Sequence, residues 1–371
     1  MKIGITCHPS AGGSGIMATE LGIALAERGH EIHFVTTETP FRLTAFRENI
    51  FCHTVNVFSY PLFINPPASL ALASKISEVA EEYDIELWHA HYAIPNAACA
   101  IMARDMLPPE KQFKIVTTLH GTDITLVGAD PSFFRITKYA MERSDAVTAV
   151  SNWLTEETER EFALDLPVHR IYNFLDLKKF PPESPERCTL ADDDEKIIMH
   201  ISNFRPVKRV TDVVRVFKKV IESVNARLVM VGDGPERLSA VGVAKQLGIT
   251  DKITYLGTQE NIETLIPCAD LVFQPSEHES FGLTHLEAMT CEVPVLATNS
   301  GGVTEVVEHG VTGYLAEVGD IDAMAEYAIN ILTDEARAAE MGKQGRLRAL
   351  EYFDKSTIIE QYETLYNKLL S

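Results

Sequence analysis

Basic side chains are scarce in this chain: 33 Lys and Arg stand against 53 Asp and Glu, a formal charge of −20. Nucleic-acid binding rests on clustered cations, so that class is excluded. Any phosphate ligand must then be held locally, by a few basic residues and backbone N–H groups. Cysteine is sparse as well. The 6 residues Cys7, Cys52, Cys99, Cys188, Cys268 and Cys291 show no C-x-x-C and no regular spacing. That excludes a disulfide framework or a zinc site and reads as buried thiols in a reducing cytoplasm. No apolar run reaches the roughly 18 residues of a membrane span. The strand-like Met1–Cys7 meets a Pro-Ser-Ala-Gly-Gly turn too early for the apolar segment of a signal peptide, so a soluble cytoplasmic protein is expected. What remains is an ordinary globular composition, 46% hydrophobic and 23% charged, and 371 residues are too many for one core. Two domains of roughly 150–200 residues are expected.

Short β-branched or apolar runs alternate with amphipathic stretches from end to end, the mark of βαβ units around parallel sheets. In the first half, strands are expected at Lys2–Cys7, Glu31–Thr36, Phe51–Phe58, Leu87–Ala90, Lys114–Leu119, Ala146–Val150 and Val168–Tyr172. Helices are expected between them at Ile16–Arg28, Leu70–Tyr83, Pro95–Met106, Phe133–Arg143 and Asn152–Phe162. The proline- and acid-rich stretch from Phe180 to Glu195 reads as a linker. A second series follows at Lys196–Ser202, Arg227–Val231, Lys252–Leu256, Leu271–Gln274 and Pro294–Thr298. Ile358, Ile359, Tyr362, Leu365, Tyr366 and Leu369 recur at a helical period over Lys355–Leu370. The fold class is therefore α/β, with two Rossmann-like, doubly wound parallel-sheet domains and a ligand cleft at the carboxyl ends of both sheets. The expected boundaries are 1–175, 176–352, and a terminal helical segment 353–371 packing back on the first domain.

The segment Glu279-Ser-Phe-Gly-Leu-Thr-His-Leu-Glu287 places two carboxylates around a turn that opens a helix. Free N–H groups at Phe281, Gly282 and Leu283 make such a helix start an anion site. Carboxylates beside an anion site suit a ligand that carries both a diphosphate and hydroxyls, which is the chemistry of a nucleotide-sugar. Asn203, Arg205, Lys208 and Arg209 gather at another strand-to-helix turn, where cations cradle diphosphate well. Val231-Gly232-Asp-Gly and Tyr255-Leu256-Gly close two further strands and offer backbone groups to a nucleobase. In the first half, Trp88-His-Ala-His-Tyr92 and Thr117-Thr118-Leu-His120-Gly-Thr-Asp stand at strand ends facing the crevice. Tyr92, Thr117 and Thr118 are candidates for binding an acceptor's oxygens, and His120 for touching a substrate. Gly13-Ser14-Gly-Ile-Met-Ala fits the dinucleotide fingerprint, and Glu38 ends the next strand. An NAD-dependent dehydrogenase is thus a rival reading, and a non-enzymatic sugar-nucleotide sensor is another.

The second half resembles the retaining GT-B glycosyltransferases of family four. The motifs are Val231-Gly-Asp-Gly-Pro-Glu, Pro275-Ser-Glu-His-Glu-Ser-Phe-Gly-Leu, Leu286-Glu-Ala-Met, Val293-Pro-Val, Gly301-Gly-Val-Thr-Glu and Gly313-Tyr-Leu. Within the family, Gly12-Gly-Ser-Gly, His89-Ala-His-Tyr-Ala-Ile-Pro, Val116-Thr-Thr-Leu-His-Gly-Thr-Asp and Ile201-Ser-Asn-Phe-Arg are similar to members that act in bacillithiol biosynthesis. The resemblance implies retaining transfer of N-acetylglucosamine from UDP-N-acetylglucosamine to the hydroxyl of L-malate, with no metal and no other cofactor. Its partners are those two substrates, with a homodimer as the candidate assembly. It implies His120, Lys208 and Glu279 as the catalytic groups. The donor set is Gly13, Asn203, Arg205, Lys208, Gly232, Leu256, Glu279, Phe281, Gly282, Leu283 and Glu287. The acceptor set is Ser14, Tyr92, Thr117, Thr118 and Arg205, with Lys138 a weaker candidate. Two positions depart from the family: Asn203 stands where arginine is usual, and Glu292 where glycine is usual. Another small anion, such as an inositol phosphate, is the alternative acceptor.

Overall fold

The computed structural model describes residues 1–9, 12–43, 45–58, 66–182 and 189–371. Part of the expected linker and Cys188 lie outside them. The chain divides into two compact units, Met1–Asn173 with Ser356–Ser371, and Phe174–Lys355. No helix of the described residues is long and apolar enough to cross a membrane.

The first unit holds a parallel sheet of β1 (Lys2–Thr6), β2 (Glu31–Thr36), β3 (Ile50–Thr54), β4 (Leu87–His91), β5 (Lys114–Leu119), β6 (Ala146–Ala149) and β7 (Val168–Arg170). Their spatial order is β3-β2-β1-β4-β5-β6-β7. Glycine at Gly4 is a packing requirement, because a Cβ there would come within 2.3 Å of the fully buried Trp88 ring. The helix Gly13–Glu27 packs close to the sheet in the same way, with Gly22 set against Phe34. That helix starts three residues before the expected Ile16, since glycine and serine are tolerated in a first turn. The helix expected from Pro95 begins instead at Ala98. Ile94, forced toward extended backbone by the proline that follows it, has φ −131° and ψ 140°. The helix Lys355–Leu370 buries Ile358, Ile359, Tyr362 and Tyr366. Within the first unit its Tyr366 hydroxyl meets His89 Nδ1 at 2.6 Å, and Glu363 accepts from Arg28 at 2.6 Å.

The second unit is built on β8 (Lys196–Ile201), β9 (Ala226–Val231), β10 (Ile253–Gly257), β11 (Leu271–Gln274), β12 (Val295–Thr298) and β13 (Gly313–Ala316). All pairings are parallel, in the order β10-β9-β8-β11-β12-β13. β13 is absent from the expected strands; it is four residues long and opens on a glycine, too little for a pattern to register. The helix Val210–Val220 presents Val210, Val213, Val214 and Phe217 to Leu228, Met230, Phe273 and Leu296 of the sheet. Each such side chain contributes about 1.5–3 kcal/mol when fully buried.

Strand order reverses between β1 and β4 in one unit and between β8 and β11 in the other. Open parallel sheets bind ligands outside the carboxyl ends at such reversal points. Among the cysteines, Cys7, Cys99 and Cys291 are buried thiols and Cys52 is an exposed one. Cys268 is disulfide-bonded, which corrects the reading of thiols throughout.

Candidate active site

In the second unit four candidate segments lie at neighbouring strand ends, because β10, β9, β8 and β11 are consecutive in the sheet. His200 of β8 anchors the turn that follows its own strand. Its Nδ1–H donates to the Phe273 carbonyl at 2.9 Å, which leaves Nε2 to accept from the Ser202 hydroxyl at 2.8 Å. Ser202 in turn accepts from the Phe204 N–H at 3.2 Å. Burial, opposed by the Phe273 carbonyl, holds His200 down at about 4, so this tautomer is neutral. The chain thus fixes the turn that carries Asn203, Arg205 and Lys208. Asn203 and Arg205 are exposed, while Lys208 is half-buried. The Glu277 N–H donates to the Val207 carbonyl at 2.8 Å and ties this turn to the one after β11.

Lys208 forms a salt bridge to Glu279. Burial pushes the Glu279 carboxyl up, but the Lys208 charge and hydrogen bond outweigh it and hold the group below its usual range. Gly301 sits against this segment: a Cβ there would lie 2.3 Å from the Glu279 carbonyl, and the Gly302 N–H donates to the same oxygen at 2.8 Å. The helix Leu283–Thr290 then starts from Gly282 at φ 102°, a conformation glycine adopts at little cost. No acceptor among the described residues takes the N–H groups of Gly282 and Leu283. Phe281 is buried edge-on to Phe353, and Glu287 is buried within the helix.

Gly232 has φ +113° and would place a Cβ 1.8 Å from the Ser202 carbonyl. Its N–H donates to the Gly257 carbonyl at 2.7 Å, so the glycine is required by the turn, and that N–H is not offered to a base. The Leu256 carbonyl likewise accepts from Gln259 at 2.7 Å. Arg209 is turned away from the turn that carries Lys208, since Asp212, three residues on, accepts from its Nε at 2.7 Å.

In the first unit the ends of β1, β4 and β5 adjoin. Gly13 is exposed and Ser14 half-buried at the start of their helix. Tyr92 has φ 81°, a rare backbone state for an aromatic residue, and its ring packs 5.1 Å from His8 and 5.3 Å from His120. His120 Nε2 lies 2.9 Å from His91 Nδ1. Burial, with the His8 charge adding, pushes His120 down to about 3. It is therefore neutral at ordinary pH.

Asp123, not singled out from the sequence, holds the loop that carries His120. Its Oδ1 accepts from the N–H groups of His120 (3.1 Å) and Gly121 (2.9 Å), and Oδ2 accepts from Ala93 (3.1 Å). It thereby clamps the His120 loop to the segment after Tyr92, and burial raises its carboxyl to about 6 despite those donors.

Thr117 and Thr118 lie on β5. Both are buried, and their hydroxyls point to opposite faces of β5 as pleating requires. Thr117 bonds Ser144 at 2.7 Å, and Thr118 meets Thr148 and His89 at 2.6 Å each. Their side chains are engaged within the sheet. Lys138 is also occupied, donating to the Phe162 carbonyl at 2.8 Å.

Comparison with known proteins bears on this arrangement. Residues 186–348 match the family model "Glycosyl transferases group 1", and residues 11–179 match "Glycosyltransferase Family 4". The N-acetyl-alpha-D-glucosaminyl L-malate synthase of Bacillus anthracis is 47% identical, over 100% of this chain and 97% of its own length. Among solved structures, sucrose-phosphate synthase from Thermosynechococcus elongatus superposes with a TM-score of 0.82 at 25% identity, covering 100% of this chain and 99% of that one. The Anabaena HepE protein, in complex with UDP and glucose, gives 0.80 at 23% identity, covering 98% and 99%. These matches overturn the dehydrogenase and sensor alternatives. The chain belongs to the family-four glycosyltransferases, enzymes that transfer a hexose, and has their two-domain GT-B α/β fold.

Proposed function

We propose that the enzyme transfers N-acetylglucosamine from UDP-N-acetylglucosamine to the hydroxyl of L-malate, with retention at the anomeric carbon. The observation that carries this reading is the Lys208–Glu279 pair beside the uncapped start of the helix Leu283–Thr290. It combines a cation, free N–H groups and a carboxylate at one strand end, in a chain 47% identical to a relative named for that product. Glu287 accepts from the ribose hydroxyls and Glu279 from hexose hydroxyls. The N–H groups of Phe281, Gly282 and Leu283, with Lys208, Asn203 and Arg205, hold the diphosphate, and Gly13 joins them. The turns at Gly232 and Leu256 flank the base by shape. Ser14 and Tyr92 bind malate by hydrogen bonds, and Arg205 adds a charge-assisted bond that favours a dicarboxylate over a neutral sugar. The same reading carries a cytoplasmic site of action and a homodimer.

In the reaction the malate hydroxyl oxygen attacks the anomeric carbon on the face the diphosphate leaves. The bond from that carbon to the phosphate oxygen breaks, its electron pair goes to UDP, and the hydroxyl proton passes to the same phosphate oxygen. Lys208 and the helix N–H groups stabilise the charge growing on UDP, the kind of electrostatic contribution that dominates many enzymes. His120, neutral and held by His91 and Asp123, orients the sugar. The test is proton NMR of the product formed from UDP-N-acetylglucosamine and L-malate. A small anomeric coupling, that of an α-glycoside, is expected. A β-configured product, or a trapped covalent glycosyl-enzyme, overturns the same-face scheme.

A further inference from the structure

His285 is the third residue of the helix Leu283–Thr290 and is 1% exposed, and neither of its ring nitrogens has a hydrogen-bond partner. Its ring fills the space beneath Gly282, where a Cβ would fall 2.7 Å from Nδ1. A buried polar group left unsatisfied destabilises a fold, and such groups in native proteins require an explanation. Leucine or methionine would occupy this space without that cost.

The groups around the imidazole supply the explanation. Glu279, on the loop before the helix, and Lys208, on the turn before Val210–Val220, both act on its charge, and His200 of β8 is near enough to feel it. On its own helix, Glu287 lies two residues on. The buried Ser276 hydroxyl lies beside Glu279 and helps to hold it ionised. Burial lowers His285, Glu279 raises it, Lys208 lowers it and the neighbouring Gly282 backbone raises it, leaving it at about 4. At neutral pH it is therefore an uncharged ring with one N–H to give.

In the protein alone, Glu279 satisfies itself on Lys208. A diphosphate at the start of this helix competes for the same ammonium, and a carboxylate that shares its cation is driven by burial to take a proton. We infer that His285 is a positioning residue: as Lys208 turns to the diphosphate, the ring N–H donates to Glu279 and keeps that carboxylate ionised and aimed at the sugar. This rests on the donor-site reading above. It also explains why a histidine costly to the free protein stands in the second half of the Glu279–Glu287 segment.

The experiment is calorimetric titration of UDP-N-acetylglucosamine from pH 5 to 8, on wild type and on His285→Leu, His285→Met and His285→Gln. Its diphosphate does not ionise near neutral pH, so a pH effect reports the protein. Two apolar variants are used so that one misfolded protein, detected by circular dichroism, leaves the other. The apolar variants are expected to bind like wild type at pH 8 and to weaken about tenfold toward pH 5.5, as Glu279 takes up its proton. His285→Gln, which restores an N–H donor, is expected to follow wild type. Apolar variants with the wild-type pH profile, or a glutamine variant that behaves like leucine, overturn the inference and leave the donor site standing. A wild-type protein that does not bind the nucleotide-sugar at any pH overturns both.

Discussion

Replacing Lys208 with methionine removes the cation from a pair whose side chains are only 21% and 23% exposed. Stranding one member of a fully buried pair costs about 3–5 kcal/mol, whereas an exposed pair contributes about 0–1 kcal/mol. With about a fifth of each side chain in water, the loss should be about 2 kcal/mol at neutral pH, which corresponds to roughly 4–8 °C in Tm for a unit of this size. The pH dependence carries the sharper signature. In the wild type the Glu279 carboxyl is held below its ordinary value of 4.5. The pair's stabilisation is therefore present above that pH and lost as pH falls through the folded value. In the variant burial, the largest influence on Glu279, is opposed only by His285 and the Ser276 hydroxyl, so the carboxyl rises and the penalty is largest at neutral pH and relieved as pH falls. Thermal melts of both proteins at pH 7.5 and pH 5 should show the deficit narrowing. The double variant Lys208→Met/Glu279→Gln should recover most of the stability while remaining inactive. An equal deficit at both pH values, or a double variant no better than the single one, would refute the reasoning.

Glu287→Ala should weaken UDP binding roughly tenfold or more by calorimetry, because a buried hydrogen bond to a charged group contributes about 1.5–3 kcal/mol. In Asp123→Asn the amide N–H₂ must face a backbone donor at one of its two ends, so denaturant melts should show a loss of about 1–3 kcal/mol, with a lower kcat from the loosened His120 loop. Gly301→Ala would drive a Cβ to within 2.3 Å of the Glu279 carbonyl at φ +69°. Thermal melts and donor titrations should both deteriorate, and an unchanged donor KM would count against the role given to that segment.

The sheets were readable because strands buried on both faces appear as near-continuous apolar runs. Glu31–Thr36, Lys114–Leu119 and Leu271–Gln274 fall where the pattern puts them. The helix Lys355–Leu370 was equally readable, since its buried Ile358, Ile359, Tyr362 and Tyr366 keep a strict helical period. Which side of a strand end faces a ligand was not readable. Thr117 and Thr118 turned inward because Ser144, Thr148 and His89, all distant or differently spaced in sequence, offer them partners. The capture of Arg209 by Asp212 was readable in principle, being a contact three residues apart. The roles of Asp123 and His285 were not, because they depend on burial and on which neighbouring atoms lack partners.

The claim that joins the fold, the donor site and the acceptor is the identity of the glycoside formed. The protein should be incubated with UDP-N-acetylglucosamine and a mixture of small hydroxy acids, inositols and inositol phosphates, and the products resolved by mass spectrometry. The expected result is one dominant new species at the mass of N-acetylglucosaminyl malate, formed at the expense of L-malate. Brisk glycosylation of an inositol phosphate with none of malate would contradict it.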